Sequence, residues 1–224
     1  MLSTPIIIVN YKTYKESYGK NALNLTKILE ENAISLKKNL AVAVCPPDIR
    51  YIAENVKIPV LSQHVDPISF GSYTGYLLPE NLKEAGAYGS LINHSEHRMK
   101  IADIDACIQR LKELGMCSVV CTNNVSTSSA IAVLDPDFLA VEPPELIGGD
   151  IAVSKARPEV VSGSVNAVKK LNKKVKVLCG AGVKTGEDVS KAIELGADGV
   201  LLASGVVKAK DIKSTIIDLL KGLG

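Results

Sequence analysis

The sequence predicts a one-domain α/β fold, a closed (β/α)8 barrel spanning residues 1–224, and three observations carry that expectation. Short β-branched runs alternate with amphipathic stretches along all 224 residues, there are eight such runs, and no linker, low-complexity segment or break in composition interrupts them. Such alternation builds parallel strands joined by right-handed helical crossovers, and the length suits one large domain or two small ones. The alternative is an open doubly wound sheet. That fold commonly carries a glycine fingerprint after its first strand. Here the first strand runs into NYKTYKES, and the glycine cluster GAGVKTG at 180–186 has the wrong spacing for a dinucleotide or P-loop motif.

The first strand, IIIVN at 6–10, ends in Asn10 and is closely followed by Lys12. Residues two apart on a strand share a side, so the amide and the amine point together. Burying that pair without a purpose would be expensive, which places them in a pocket. A helical pattern follows at 21–32, then strands LAVAVC (40–45), IPVLSQ (58–63) and YGSLIN (88–93), the last two leading into His64 and His94. The helix DIDACIQRLKELG (103–115) leads to the fifth strand, CSVVC (117–121), and NVSTSSAIAVL (124–134) to the sixth, FLAVE (138–142). Helical SVNAVKKLN (164–172), strand VKVLC (175–179), helical GEDVSKAIELG (186–196), strand DGVLLA (198–203) and helical DIKSTIIDLLKG (211–222) complete the order. Several of the helical patterns close on glycine, as helix C-termini do.

Apolar residues make up 46% of the chain, charged residues 22%, and the net charge is +2. This balance is too even for a nucleic-acid surface. No apolar run approaches the ~20 residues that span a bilayer, and no basic-plus-apolar leader opens the chain, so a cytoplasmic protein with no membrane partner is expected. Five cysteines (Cys45, Cys107, Cys117, Cys121, Cys179) form an odd count without framework spacing. They are not grouped with histidines as zinc ligands would be, and neither metal nor cofactor is expected.

In a barrel, function collects at the carboxyl ends of the strands. Those ends bring Asn10, Lys12, Gln63, His64, His94 and Glu142 toward one mouth. Lys12 there is either a fixed positive charge for an anionic substrate or a Schiff-base amine. His94, in INHSEHRM, falls where the next helix is expected to begin; a helix N-terminus disfavours imidazolium and favours a neutral, hydrogen-bond-donating ring. Glu142 precedes two prolines, with Gly148-Gly149 beyond them. A stiff entry and bendable exit predict a lid over 143–154. An ionised carboxylate facing a neutral acid is the arrangement that moves a proton beside a carbonyl. GAG (180–182) and ASG (203–205) stand where barrels hold phosphate on backbone N–H groups.

The segments NYK, HSEHR, VEPPELIGG, CGAG and LLASG, in that order over the whole chain, resemble the triosephosphate isomerase family in its shortened archaeal form. The resemblance implies interconversion of dihydroxyacetone phosphate and D-glyceraldehyde 3-phosphate in glycolysis and gluconeogenesis, without metal or cofactor. It implies Glu142 as the base, His94 as the neutral electrophile, Lys12, Asn10 and Tyr11 as substrate contacts, and Glu96 as the group that places Lys12. Ile147, Gly148, Gly182, Ala203 and Ser204 would line the phosphate site. The chain departs from the family pattern in having Gly182 where a serine is usual, His97 where an arginine is common, and no tryptophan in the lid. The residues alone leave open another phosphosugar barrel, an epimerase or a Schiff-base lyase, and a binding barrel without turnover. GSYTG (71–75) resembles the family's loop that enters a neighbouring subunit, with Thr74 near that subunit's site. The helix expected at 124–134 carries no charge, and charge depletion marks interface cores. Two such surfaces imply a homotetramer, a dimer of dimers with helices four and five at its second interface.

Overall fold

Strand β1 (Ile6–Asn10) shows how one alternating sequence makes two apolar layers. Ile6 and Ile8 turn into the barrel, where they meet Ala41, Ala43, Leu61, Val119, Phe138, Ala140, Leu178 and Leu201. Ile7 and Val9 turn outward into the layer shared with the helices, against residues such as Leu25, Leu29, Val42 and Val44. Each fully buried side chain of this kind contributes about 1.5–3 kcal/mol, so both layers fix the register.

The computed structural model describes residues 2–143, 154 and 157–224. The remaining strands are β2 (Asn39–Val44), β3 (Val60–Ser62), β4 (Gly89–Ile92), β5 (Cys117–Thr122), β6 (Phe138–Val141), β7 (Lys176–Cys179) and β8 (Gly199–Leu202). They pair in parallel, in sequence order, and β8 returns to β1 with Ile6 opposite Gly199, closing the barrel. The described helices are α1 (Gly19–Leu36), α2 (Ile49–Ala53), α3 (Pro79–Glu84), α4 (Ile101–Glu113), α5 (Val125–Ala132), α6 (Pro158–Leu171), α7 (Gly186–Glu194), α8 (Ser204–Val207) and α9 (Ile212–Lys221). None of the described helices is long and apolar enough to cross a membrane.

Boundaries shift where local chemistry outweighs pattern. The third strand is shorter than IPVLSQ: Pro59 has no N–H for the ladder, although its carbonyl still accepts from Val42 N–H at 3.1 Å. Helix α6 starts earlier than SVNAVKKLN. Pro158 at its first position is pre-set for a helix, and Val160 and Val161 are buried against the core. Helix α7 opens with a reciprocal cap, Thr185 accepting from Asp188 N–H and the Asp188 side chain accepting from Thr185 N–H.

Candidate active site

Strand parity selects what enters the mouth. Ile6 and Ile8 line the barrel interior, so Asn10 continues that row. Phe138 and Ala140 lead in the same way to Glu142, Leu178 to Gly180, and Leu201 to Ala203. These ends enclose one cleft lined by Asn10, Lys12, Tyr14, His94, Glu142, the segment 180–184 and the segment 201–205.

Tyr11 has the opposite parity, and the structure corrects the expectation that it contacts substrate. It is fully buried in the outer layer with Ile7 and Val9, and its hydroxyl pairs with Thr26 of α1 at 2.7 Å. Burial pushes its phenol far above the ordinary range despite that bond. Ile147 and Gly148, with most of the lid expected over 143–154, lie outside the described residues. Gly182, Ala203 and Ser204 all line the cleft.

Glu142 is 3% exposed. Its N–H donates to Thr122 O at 2.7 Å, which anchors its backbone. One carboxylate oxygen, Oε1, stands 3.6 Å from His94 Nε2, while the buried Oε2 has no nitrogen or oxygen partner among the described residues, the Cys121 thiol being the carboxylate's polar neighbour. Leaving such an atom unsatisfied costs about 1–3 kcal/mol, a cost that a substrate or its water can remove. Behind the carboxylate, burial first and the Glu142 charge second keep the Cys121 thiol protonated. Gly180 permits this packing, since a Cβ there would stand 2.5 Å from Glu142 Cγ.

His94 does not start a helix. It heads a turn closed by His97 N–H to His94 O at 2.8 Å, and α4 begins only at Ile101. The expected source of a neutral ring is therefore corrected: His94 Nδ1 accepts from Glu96 N–H at 3.2 Å. A nitrogen that accepts carries no proton, so in this geometry the ring N–H is at Nε2, the atom facing Glu142; Nδ1 also stands 3.5 Å from Glu96 Oε2.

Lys12 Nζ reaches Glu96 Oε1 at 2.7 Å, with the lysine side chain 13% and the glutamate 58% exposed. Such a half-exposed pair adds about 0–1 kcal/mol to stability; its main effect is to place a positive charge at the mouth. Asn10 Oδ1 accepts from Lys12 N–H at 3.0 Å. Opposite these groups, the backbones of the seventh and eighth loops pack closely, a Cβ at Gly205 standing 2.9 Å from Val183 O, and Gly182 takes φ +72°. The sequence reasoning missed Tyr14 and Lys184 as lining residues. Both lie past the ends of their strands, where parity no longer counts, and the Tyr14 ring carries Lys208 Nζ at 4.0 Å. Among the described residues, no group of three or more His, Cys, Asp or Glu side chains could hold a metal.

A family model described as triosephosphate isomerase matches residues 5–220. The chain is 58% identical over 219 residues to a triosephosphate isomerase of Methanothermus fervidus, covering 98% of this chain and 99% of the relative. It is 56% identical over 218 residues to one of Methanocaldococcus jannaschii, covering 96% and 99%. The crystal structure of a triosephosphate isomerase from Bartonella henselae superposes with a TM-score of 0.75 at 19% identity, over 98% of this chain and 97% of that one; at that identity the likeness speaks for the fold.

Proposed function

The chain belongs to the triosephosphate isomerase family, and from that premise we propose which of its residues perform the interconversion of dihydroxyacetone phosphate and D-glyceraldehyde 3-phosphate. Glu142 takes the proton from C1 of dihydroxyacetone phosphate. The C–H electrons become the C1–C2 double bond, and negative charge gathers on the C2 oxygen. His94 Nε2–H donates to that oxygen, a proton passes from O1 to O2, and Glu142 returns its proton to C2. No proton or electron is gained overall. A carboxylate base beside a neutral imidazole is this family's own standard pattern. Lys12 and the Asn10 amide bind the charged substrate, and the small-residue backbone of 180–182 and 203–205 holds phosphate. The observation that carries the reading is the Glu142 carboxylate, one oxygen without a nitrogen or oxygen partner among the described residues and the other 3.6 Å from His94 Nε2, in one cleft. Lys12 paired to Glu96 speaks against the lyase reading, because a Schiff base needs a free amine. A coupled isomerase assay in EDTA tests the whole scheme: undiminished turnover is expected, and a metal requirement would overturn it.

The reading extends to one barrel domain over 1–224 and to a homotetramer. Phe70, Tyr73 and Tyr76 are exposed around the 71–75 loop, in a chain with two phenylalanines and seven tyrosines. On the other surface α5 carries no charge, and Ile101 of α4 and Val133 after α5 are exposed. Both surfaces support a dimer of dimers through the 71–75 loop and helices α4 and α5. Five free thiols support a cytoplasmic setting.

A further inference from the structure

We propose that Gln63 is a positioning residue for catalysis: its carboxamide holds Asn10 and the strained backbone of Lys12 so that both side chains face the substrate. The proposal rests on the reading of Lys12 and Asn10 as substrate contacts. Lys12 takes φ +48°, a left-handed conformation that is disfavoured by about 1–2 kcal/mol for a residue with a Cβ. Such strain persists only where the surroundings hold it, and here both polar groups of Lys12 are tied. Its N–H donates to Asn10 Oδ1 at 3.0 Å. Its carbonyl accepts from Gln63 Nε2 at 3.0 Å, with the Cys45 sulfur 3.5 Å away.

Gln63 follows β3, which is separated from β1 by β2, and its side chain spans that gap. Besides Lys12 O, its Nε2 lies 3.2 Å from Asn10 Oδ1 and 3.3 Å from Ala43 O, while Oε1 accepts from the Cys45 thiol at 3.3 Å. Three acceptors around the nitrogen and a donor at the oxygen fix the orientation of the amide. Turned over, it would set oxygen against three oxygens. With Asn10 Oδ1 claimed by Lys12 N–H and by Gln63, the NH2 of Asn10 is the group left to face the cleft. Gln63 itself does not line the cleft, so it acts through Asn10 and Lys12.

The test compares Gln63→Met, Gln63→Glu and Lys12→Met in the isomerase assay, with thermal unfolding recorded for each. Gln63→Met is expected to lower kcat/KM about tenfold, largely through KM. In the Lys12→Met background it should add a smaller loss than in the natural chain, since what it contributes through Lys12 is already gone and only its hold on Asn10 remains. Gln63→Glu is expected to work only when its carboxyl is protonated, because the ionised form turns an acceptor on three acceptors. An ordinary glutamate ionises near pH 4.3, so its kcat/KM relative to the natural chain should stay low above about pH 6 and recover as the pH is lowered toward about 5. Cys45 with Asp48, His64 with Asp66 and His97, and the Lys12–Glu96 pair surround this position and are common to both proteins, so the ratio removes their own titration. If Gln63→Glu does not fold, Gln63→Met and its double variant decide. Natural KM and kcat in Gln63→Met, or a multiplicative loss in the double variant, would overturn the proposal even with a lowered Tm. If Lys12→Met keeps the natural KM, the reading of Lys12 fails and takes this proposal with it. If Lys12→Met loses affinity and Gln63→Met does not, this proposal alone fails.

Discussion

Replacing Gly180 by alanine perturbs Glu142, the proposed base, without touching its chemistry. The added Cβ would stand 2.5 Å from Glu142 Cγ, 3.1 Å from Val141 O and 3.4 Å from Glu142 Cδ. Carbon atoms pack favourably at about 3.5–4.0 Å, so relief requires roughly 1 Å of movement. The Glu142 backbone is anchored by its bond to Thr122 O at 2.7 Å, and the carboxylate therefore gives way rather than the strand. A displacement of about 1 Å at a reacting group costs about 10² in rate. Gly180 does not occupy the left-handed region, so alanine adds no backbone strain. Gly180→Ala should lose about 10² in kcat with KM and fold retained, as read by the coupled assay and circular dichroism. A kcat within about threefold of the natural chain, a barrier change of well under 1 kcal/mol, would refute the inference that this contact sets the position of the base.

Three further outcomes follow from the same geometry. Glu142→Asp, which draws the carboxylate back by about 1 Å, should keep phosphoglycolate affinity in calorimetry while kcat drops roughly 10²- to 10³-fold; near-natural kcat would remove Glu142 from the base role. Ala130→Lys places a charge on the exposed face of α5, and sedimentation should show a tetramer becoming a dimer, whereas an unchanged mass would discard the second interface. His64 is stacked on His97 at 4.0 Å. Burial first and the His97 charge second lower its proton affinity, partly offset by Asp66. The unfolded chain then binds more protons, so this contribution to stability is complete above about pH 6.5 and is lost as pH falls below it. His64→Gln should flatten the drop in Tm between about pH 7 and about pH 5.5, and an unchanged slope would contradict the assignment.

How much was legible depends on the range of the interaction involved. The eight strands and the mouth were written in parity: the rows ending in Asn10, Glu142 and Ala203 could be counted from the apolar residues before them. The same parity places Tyr11 in the outer layer, and naming it a contact set resemblance above counting. Helices α2 and α3 escaped because one or two turns show no 3.6-residue period. The source of the His94 tautomer lies in a turn that brings Glu96 N–H onto Nδ1, which a helix-start signal does not encode. Gln63 appeared only as a strand end. Its bonds to Asn10 and Lys12 run across β2, and sequence spacing carries no trace of them.

The central claim is that Glu142 moves the proton between C1 and C2, and isomerisation in D2O followed by NMR tests it most directly. The natural chain should place solvent deuterium on the carbon that receives the proton, while Glu142→Gln, folded and still binding phosphoglycolate, should lose turnover and exchange together. Continued deuterium incorporation by Glu142→Gln at a rate near that of the natural chain would contradict the account.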